Sequence, residues 1–596
     1  MCSLNYSCII TLFLKTTTFD TLTSNRLAWQ HLLPNHTPYQ TLFAQAAQLT
    51  PAEFSVIQPR LADSLTLFCH PRSPSRFMLL KALEDSEYMA LVERTVNAIK
   101  PKTGTLFGSK YTVEGPTVRV QPATQSTDNF ASQRLCGYRE WIEAEQLFGA
   151  VRCFQGEVTL TPGLIHQVNG GTLILNARTL LAQPLMWLRL KQIITEGEYC
   201  WLSPDERKPL PLDIPSMPID IRLIIIGDRE SLGDIHDIEP ELSERAVYGE
   251  FEAQLQLIEA EDMERWCAYI NALCQENQLP RLSADAWPEF FNQAVRYSGD
   301  QGCLPLCPLW LNNQLKYAAL YAQSQEITAQ TLIDAAAARR WREGYLRERM
   351  QDEIELGQIL IETDGYVIGQ VNGLSVLEYP GYPIMFGEPT RISCVVHPGD
   401  GEFTDVERKA ELGGNLHAKG MMIMQAFLIS ELELDQQLPF SASIVFEQSY
   451  GEVDGDSASL AELSALISAL ALQPINQQIA VTGSVDQFGH IQPIGGVNEK
   501  IEGFFEVCQR RGLTGQQGVI LPAANLRHLC LHEEVIAAVR EGQFHLFPVE
   551  TAPEAISLLT NLAYNDAHQP NLLAAIRERI GQLIPQERRR FPWFFR

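Results

Sequence analysis

Val453-Asp454-Gly455-Asp456-Ser457-Ala458-Ser459-Leu460 opens a run in which Leu463, Leu466, Ile467 and Leu470 recur at helical spacing. The octapeptide therefore reads as the loop and first turn of a helix with a buried side. Ser457 falls at or near that helix N-terminus, where unpaired backbone N–H groups and the positive end of the helix dipole favour a developing oxyanion. Capping by Ser457 or Asp456 is the commoner use of such residues, and on this stretch alone it is the favoured reading. The pattern is not a G-x-S-x-G nucleophile elbow, because Ser459 stands where the second glycine would be.

A serine hydroxyl needs a base, and no His or Asp at obvious spacing supplies one. Forty-three residues on, Pro493-Ile494-Gly495-Gly496-Val497-Asn498-Glu499-Lys500-Ile501 sets Lys500 among Val497, Ile501, Phe504 and Phe505. Pointing inward, its ammonium would be desolvated and its pKa lowered toward neutrality, and a neutral lysine can take a proton from serine. Pointing outward, it would be a snorkelling lysine on an amphipathic helix, the usual case for any one lysine.

Taken together, Val453 to Leu460, the strand and turn Ala480-Val481-Thr482-Gly483-Ser484-Val485, and Ile494 to Lys500 resemble, in order and spacing, three successive signatures of the Lon protease catalytic domain. The D-G-D-S-A-S form is closest to the B-type, archaeal-like branch, and Glu411-Leu412-Gly413-Gly414-Asn415-Leu416-His417-Ala418-Lys419-Gly420 is similar to that branch too. The resemblance covers about residues 360 to 562. It implies peptide-bond hydrolysis by a Ser–Lys dyad, with Ser457 as nucleophile, Lys500 as general base and N–H groups near the helix start holding the oxyanion. Thr482 matches the family's strand-end threonine and could orient the lysine, a strand-capping or core role being equally compatible. Asp454 and Asp456 would tune the site or stabilise the helix start. His417 is given a structural role over a catalytic one. His528, Cys530 and His532 lack a matching partner set for a metal, and no metal is expected.

Upstream, the chain reads as an α/β layer. Leu65 to Cys69 is taken as a strand, His70 to Phe77 as a loop and Met78 to Leu83 as the start of a helix. Thr172 to Leu175 and Arg222 to Ile226 are short apolar runs bounded by glycine, as in strands of a buried parallel sheet. Glu261 to Arg349 reads as helical throughout, with a boundary near 355, beyond which β-rich segments follow at Gly365 to Val371, Arg391 to Val396 and Ser441 to Phe446. The fold class expected is α/β plus α+β: a degenerate AAA+-like parallel-sheet domain with a helical subdomain, then a Lon-type α+β proteolytic domain. The divisions are an N-terminal arm at 1–50, the AAA+-like domain at 51–258, a helical lid-like subdomain at 259–355, the proteolytic domain at 356–562 and a basic, aromatic tail at 563–596.

The family couples proteolysis to an ATP-driven ring, yet G-x4-G-K-[ST] is absent from the chain. At the position expected for it, His70-Pro71-Arg72-Ser73-Pro74-Ser75-Arg76-Phe77 retains neither glycine, the lysine nor the hydroxyl. Gly170-Gly171-Thr172-Leu173-Ile174-Leu175-Asn176-Ala177 resembles the family's metal-binding strand, with Asn176 for the magnesium-associated Asp and Ala177 for the water-activating Glu. Ile226-Gly227-Asp228 resembles the family's later sensor strand with its polar residue changed to Asp228, which would set negative charge where a γ-phosphate would lie, and Pro240 to Arg245 keeps at most one arginine of the family's arginine pair. The expectation is a degenerate nucleotide site marked by Arg76, Asn176 and Asp228, with Arg76 the one residue left to support weak binding. No cofactor is then required, ATP included.

Composition sets the remaining bounds. A chain of 596 residues is long enough for about three to five domains, and 46 basic against 72 acidic side chains oppose non-specific binding to nucleic acid. Scattered cysteines and the lack of a leader or spanning segment point to a reduced, cytoplasmic protein. The partners expected are unfolded or short protein substrates and further copies of the chain, the resemblance implying a ring, usually hexameric. The tail from Arg577 to Arg596 could dock on membrane lipid or RNA, with a solvated terminus as the plainer reading. The competing functions are a partner-binding regulatory module with secondary proteolysis, and an ATP-dependent protease that acts with an active partner.

Overall fold

The computed structural model describes residues 25–99, 106–203, 207, 209–323, 325–432, 438–449, 451 and 453–583. These residues form two compact units, one built from the described parts of 42–285 and 305–328, the other from those of 1–41, 286–304 and 329–596. The segment expected as a helical subdomain, 259–355, is thus divided between them.

The first unit is built on five parallel strands: β1 (Phe77–Lys81), β2 (Cys136–Arg139), β3 (Thr172–Asn176), β4 (Arg222–Gly227) and β5 (Val247–Glu250), in spatial order β5-β1-β4-β3-β2. β3 is buried at every residue and β4 at every residue but Arg222, because helices cover both faces of a parallel sheet, hence the unbroken apolar runs. The reading of residues 65–83 is corrected. Pro59–Cys69 is a helix, α1, which begins with Pro59 in its first turn and buries Leu61, Leu65 and Phe68; the strand is Phe77–Lys81, and a helix, α2, follows at Ser86–Ile99. Leu61, Leu65 and Phe68 follow the i, i+4, i+7 pattern, whereas Met78, Leu79 and Leu80 are a short apolar run that periodicity alone cannot assign. The loop that follows β1 is therefore Ala82–Asp85, not His70–Phe77.

The second unit carries α3 (Ala286–Ser298) and a mixed seven-stranded sheet. Its strands are β6 (Gln370–Leu377), β7 (Phe386–Pro398), β8 (Phe403–Asp405), β9 (Phe440–Phe446), β10 (Ile479–Val481), β11 (Gly518–Pro522) and β12 (His545–Val549), ordered β8-β9-β7-β6-β10-β11-β12. The β8–β9, β6–β10, β10–β11 and β11–β12 pairs are parallel and the other two antiparallel. Helices α4 (Asn415–Leu432), α5 (Ser459–Ala471) and α6 (Val497–Arg511) complete the part that concerns function. α5 is buried at all of its residues, not on one side only, since Ala and Ser between its leucines let neighbours approach all round.

Three further expectations are modified. The stretch from Glu261 to Arg349 is interrupted by the strand Cys303–Pro305 and by a break at Gly344 between helices Ala329–Glu343 and Tyr345–Glu355. The N-terminal arm is in part docked: Leu32 is buried in a cluster with Val497 and Phe504, and Leu27 N donates to Leu546 O. The expected tail begins inside the core, where helix Leu572–Leu583 buries Leu572, Leu573, Ile576 and Ile580 with residues of α5; residues 584–596, with Arg588 to Arg590 and the aromatics, lie outside the described residues. Among the described residues no helix is long and apolar enough to cross a membrane.

Candidate active site

Ser457 lies two residues ahead of α5 and is partly exposed. Its loop is pinned from several sides. Ser457 O accepts from Gly483 N at 2.9 Å and from Thr482 Oγ1 at 3.3 Å, and Leu460 N donates to Gly483 O at 3.1 Å. Ser459, 1% exposed, accepts Val485 N on its Oγ at 2.9 Å, which fixes the following turn to the strand end. On the other flank Val453 N donates to Leu412 O, Gly414 N to Val453 O, and Leu416 N to Asp454 Oδ1 at 3.1 Å. Asp454 thus ties the loop to the start of α4.

Lys500 enters from the first turn of α6, which starts after Gly496 in the left-handed region at φ 63°. A Cβ there would also press within 2.4 Å of Val376 Cγ2, so only glycine suits this helix entry. The Lys500 side chain points inward and is 3% exposed. Its Nζ lies 2.8 Å from Ser457 Oγ and 3.3 Å from Thr482 Oγ1. Burial pulls its pKa down to about 8, against the upward pull of the Asp456 carboxylate. A lysine so placed is a base near neutral pH, and the serine hydroxyl is within direct proton-transfer reach of it. Ser457, Lys500 and Thr482 are brought together, and Asp456 acts on Lys500 through its charge. The first amides of α5 are already engaged, Ser459 N by Asp456 O and Leu460 N by Gly483 O, so neither is a ready oxyanion donor.

A buried charge cluster that sequence reasoning did not assemble lies along α4 and α5. His417, 1% exposed, places Nε2 3.1 Å from Asp405 Oδ2 and Nδ1 3.6 Å from Glu462 Oε1, with Glu407 also buried nearby. The available signal was Glu462, a lone carboxylate in the otherwise uncharged helix α5. His528, Cys530 and His532 have separate partners, Asn525, the Asn292 carbonyl and Glu502 respectively. Among the described residues no group of three or more His, Cys, Asp or Glu is arranged to hold a metal ion.

Comparison with known proteins gives the family. Residues 442–560 match the family described as Lon protease (S16) C-terminal proteolytic domain, and residues 127–248 match that described as LonB-like, AAA domain. The chain is 54% identical over 575 residues to "Putative Lon protease homolog" of Escherichia coli (strain K12), which covers 96% of this chain and 98% of the relative. The chain belongs to the Lon protease family. A protein of the same name from Haemophilus influenzae is 41% identical, covering 96% of each chain, and the Archaeal Lon protease of Halobacterium salinarum is 26% identical over 81% of this chain and 68% of its own.

In this Lon family member the C-terminal ends of the first unit's strands carry an ion-pair cluster. Glu84, in the loop after β1, accepts from Ser231 Oγ at 2.9 Å and from Arg178 N at 3.3 Å. Arg178 reaches across to Asp228 Oδ2 at 2.7 Å, while Asp228 Oδ1 caps the next helix through Ser231 N. The loop Ala82-Leu83-Glu84-Asp85 has no glycine or lysine and presents carboxylates where phosphates would need N–H donors. Asn176, at the end of β3, donates to Glu140 O at 3.2 Å. Arg76 is not brought to this end. It precedes β1, donates to Ile194 O at 2.9 Å, and sits a strand length away, about 16 Å. The sequence reading groups it with Asn176 and Asp228 by treating the loop before β1 as the loop after it.

Proposed function

We propose that the chain is a serine endopeptidase of the Lon type that cleaves unfolded, short or partner-delivered proteins through Ser457 and Lys500 without hydrolysing ATP itself. The observation that carries this reading is the 2.8 Å approach of a 3% exposed lysine to the Ser457 hydroxyl. Neutral Lys500 takes the Ser457 proton as Oγ attacks the scissile carbonyl carbon. The tetrahedral intermediate collapses to the acyl-enzyme, and Lys500 returns the proton to the departing amine. Water, deprotonated in turn by Lys500, then releases the acyl group. Thr482 holds Nζ in line with Oγ and shares its hydroxyl with the Ser457 carbonyl. With Ser459 N and Leu460 N engaged, the oxyanion donors are assigned upstream, to Ser457 N and Ala458 N.

The lack of any need for ATP is supported by Glu84 and Asp228, whose charge is met by Arg178 at the strand ends. Assembly into a homo-oligomeric ring in the cytoplasm belongs to the same proposal, and mass photometry tests it: a concentration-independent monomer removes the enclosed chamber. The deciding experiment is casein degradation with and without Mg-ATP by the parent, Ser457→Ala and Lys500→Ala proteins. Equal cleavage in both conditions, lost in both variants, is expected. No cleavage by the parent overturns the peptidase reading, and stimulation by ATP overturns its independence of nucleotide.

A further inference from the structure

The turn that carries Lys500 is gripped from behind. Arg296, on α3, sends NH1 to Glu502 Oε1 at 2.6 Å and to Cys530 O at 2.9 Å, and NH2 to Glu502 Oε2 at 2.7 Å and to Glu499 Oε1 at 3.0 Å. Glu499 and Glu502 are one helical step apart on α6 and flank Lys500, so one planar guanidinium bridges both by its fork. The grip extends to either side. His532 places N and Nδ1 at 3.1 and 2.9 Å from Glu502 Oε1, Asn498 Oδ1 accepts Cys530 N, and Asn498 Nδ2 donates to His528 O. Burial opposes ionisation of Glu502, but Arg296 and His532 outweigh it and hold the carboxyl well below its usual range.

On the opposite flank α6 meets β7 through Gly387 and Gly503, backbone against backbone. Such a contact sets how close the helix lies to the sheet, and the apolar side chains of Ile501, Phe504 and Phe505 pack in the core without the directional bonds that would fix a small rotation. A roll of about 10° moves an atom about 8 Å from the helix axis by more than 1 Å. That is enough to part Nζ from Oγ, and a misplacement of this size costs about 100-fold in rate.

We infer that Arg296 is a positioning residue for the Ser457–Lys500 pair: by clamping Glu499 and Glu502 it fixes the rotation of the turn that presents Lys500, an inference that rests on the Ser–Lys reading above. A lysine at 296 would supply charge without the fork, and a glutamine neither.

The test uses the full chain with Arg296→Gln, Arg296→Lys and the double variant Arg296→Gln/Glu502→Gln, beside Ser457→Ala and Lys500→Ala. Fluorescein-labelled casein is cleaved between pH 6 and 10, with rates expressed per folded protein from circular dichroism melts. Arg296→Gln is expected to lower kcat about 30-fold with KM within about twofold. It should also move the rising limb of the pH profile upward, since Glu499 loses its counter-ion beside Lys500. Arg296→Lys should recover part of kcat. The double variant removes the more deeply buried of the two unpaired carboxylates and leaves only the partly exposed Glu499 without its cation, so it keeps the question answerable if the single variant does not fold. A folded Arg296 variant with parental kcat and an unmoved pH limb overturns the inference, as does a loss that Arg296→Lys does not relieve and that leaves the limb in place. Cleavage that survives Ser457→Ala or Lys500→Ala overturns the Ser–Lys reading instead.

Discussion

Gly387 and Gly503 meet so closely that neither can bear a side chain: a Cβ on Gly503 would lie 2.3 Å from Gly387 O, and one on Gly387 would lie 1.9 Å from Glu499 O and 2.8 Å from Lys500 Cα. The neighbour in each case is backbone, which cannot swing aside as a flexible side chain would. Gly503→Ala is therefore expected to push α6 off β7, at a cost of about 2–3 kcal/mol in stability. The displaced helix also carries Lys500, so casein cleavage should fall more than tenfold in protein that is still folded at 20 °C. A folded Gly503→Ala protein of parental stability and activity would contradict this packing.

Lys500 makes a prediction about stability as well as rate. Its pKa falls from the ordinary 10.5 to about 8 on folding. Between those values the unfolded chain holds a proton that the folded chain has released, so stability rises with pH across that window; below about pH 8 the whole penalty applies. At about 1.4 kcal/mol per unit the penalty is on the order of 3 kcal/mol, less what the bonds to Ser457 and Thr482 return. Lys500→Met should be inactive yet about 2 kcal/mol more stable than the parent at pH 7, by urea denaturation, with the gap closing toward pH 10. In the parent, cleavage should rise with pH through about 8, as the lysine becomes neutral. A rate that falls over that range would exclude Lys500 as the base.

What could be read from the chain alone follows the range of the interactions. β3 and β4 are legible because burial on both faces writes an unbroken apolar run; Ser457 and Lys500 are singled out not by their local patterns, which alone favour a helix cap and a surface lysine, but by the order and spacing in which those segments resemble the Lon signatures. Residues 65–83 were read in the wrong sense. Two apolar stretches flank a proline-containing loop, and the order of helix and strand is set by what each packs against. Arg296 lies more than two hundred residues from Glu499 and Glu502, and His417 meets Asp405 and Glu462 only through the topology of the sheet. No periodicity or spacing announces partners of that kind.

The His417 cluster sets a second pH dependence. Burial pushes the Glu462 carboxyl up to about 7, partly offset by His417. Burial lowers His417, but its bond to Asp405 and the carboxylates of Glu462, Asp405 and Glu407 outweigh that and leave it raised. Glu462 keeps its proton in the folded state while the unfolded chain loses it, so stability falls as pH rises from about 4.5 to 7. The contribution of His417 is complete below its unfolded value of 6.5 and is lost as pH passes its higher folded value. The two slopes have the same sign. Urea denaturation should show stability declining by on the order of 2 kcal/mol between pH 5 and 8, and Glu462→Gln should remove most of that decline. A parent whose stability is flat over this range would mean that the cluster does not titrate there.

The ends of β1, β3 and β4 bring Glu84, Arg178 and Asp228 together. Arg178 is 69% exposed, and Asp228 is 34% exposed, so their pair is screened and worth no more than about 1 kcal/mol. Its effect is on what these strand ends can hold. Glu84 and Asp228 repel a triphosphate, the loop after β1 lacks glycine to wrap one, and Arg178 is committed to both acids. Millimolar Mg-ATP should shift the melting temperature of the protein by less than about 1 °C, since a ligand that does not bind the folded state cannot stabilise it. Arg178→Ala should lower stability only slightly and should not create ATP binding, because it removes the cation paired with Glu84 and Asp228 and leaves the acids. A melting shift of several degrees with Mg-ATP in the parent, abolished by Arg178→Ala, would reverse the assignment and make Arg178 a phosphate ligand.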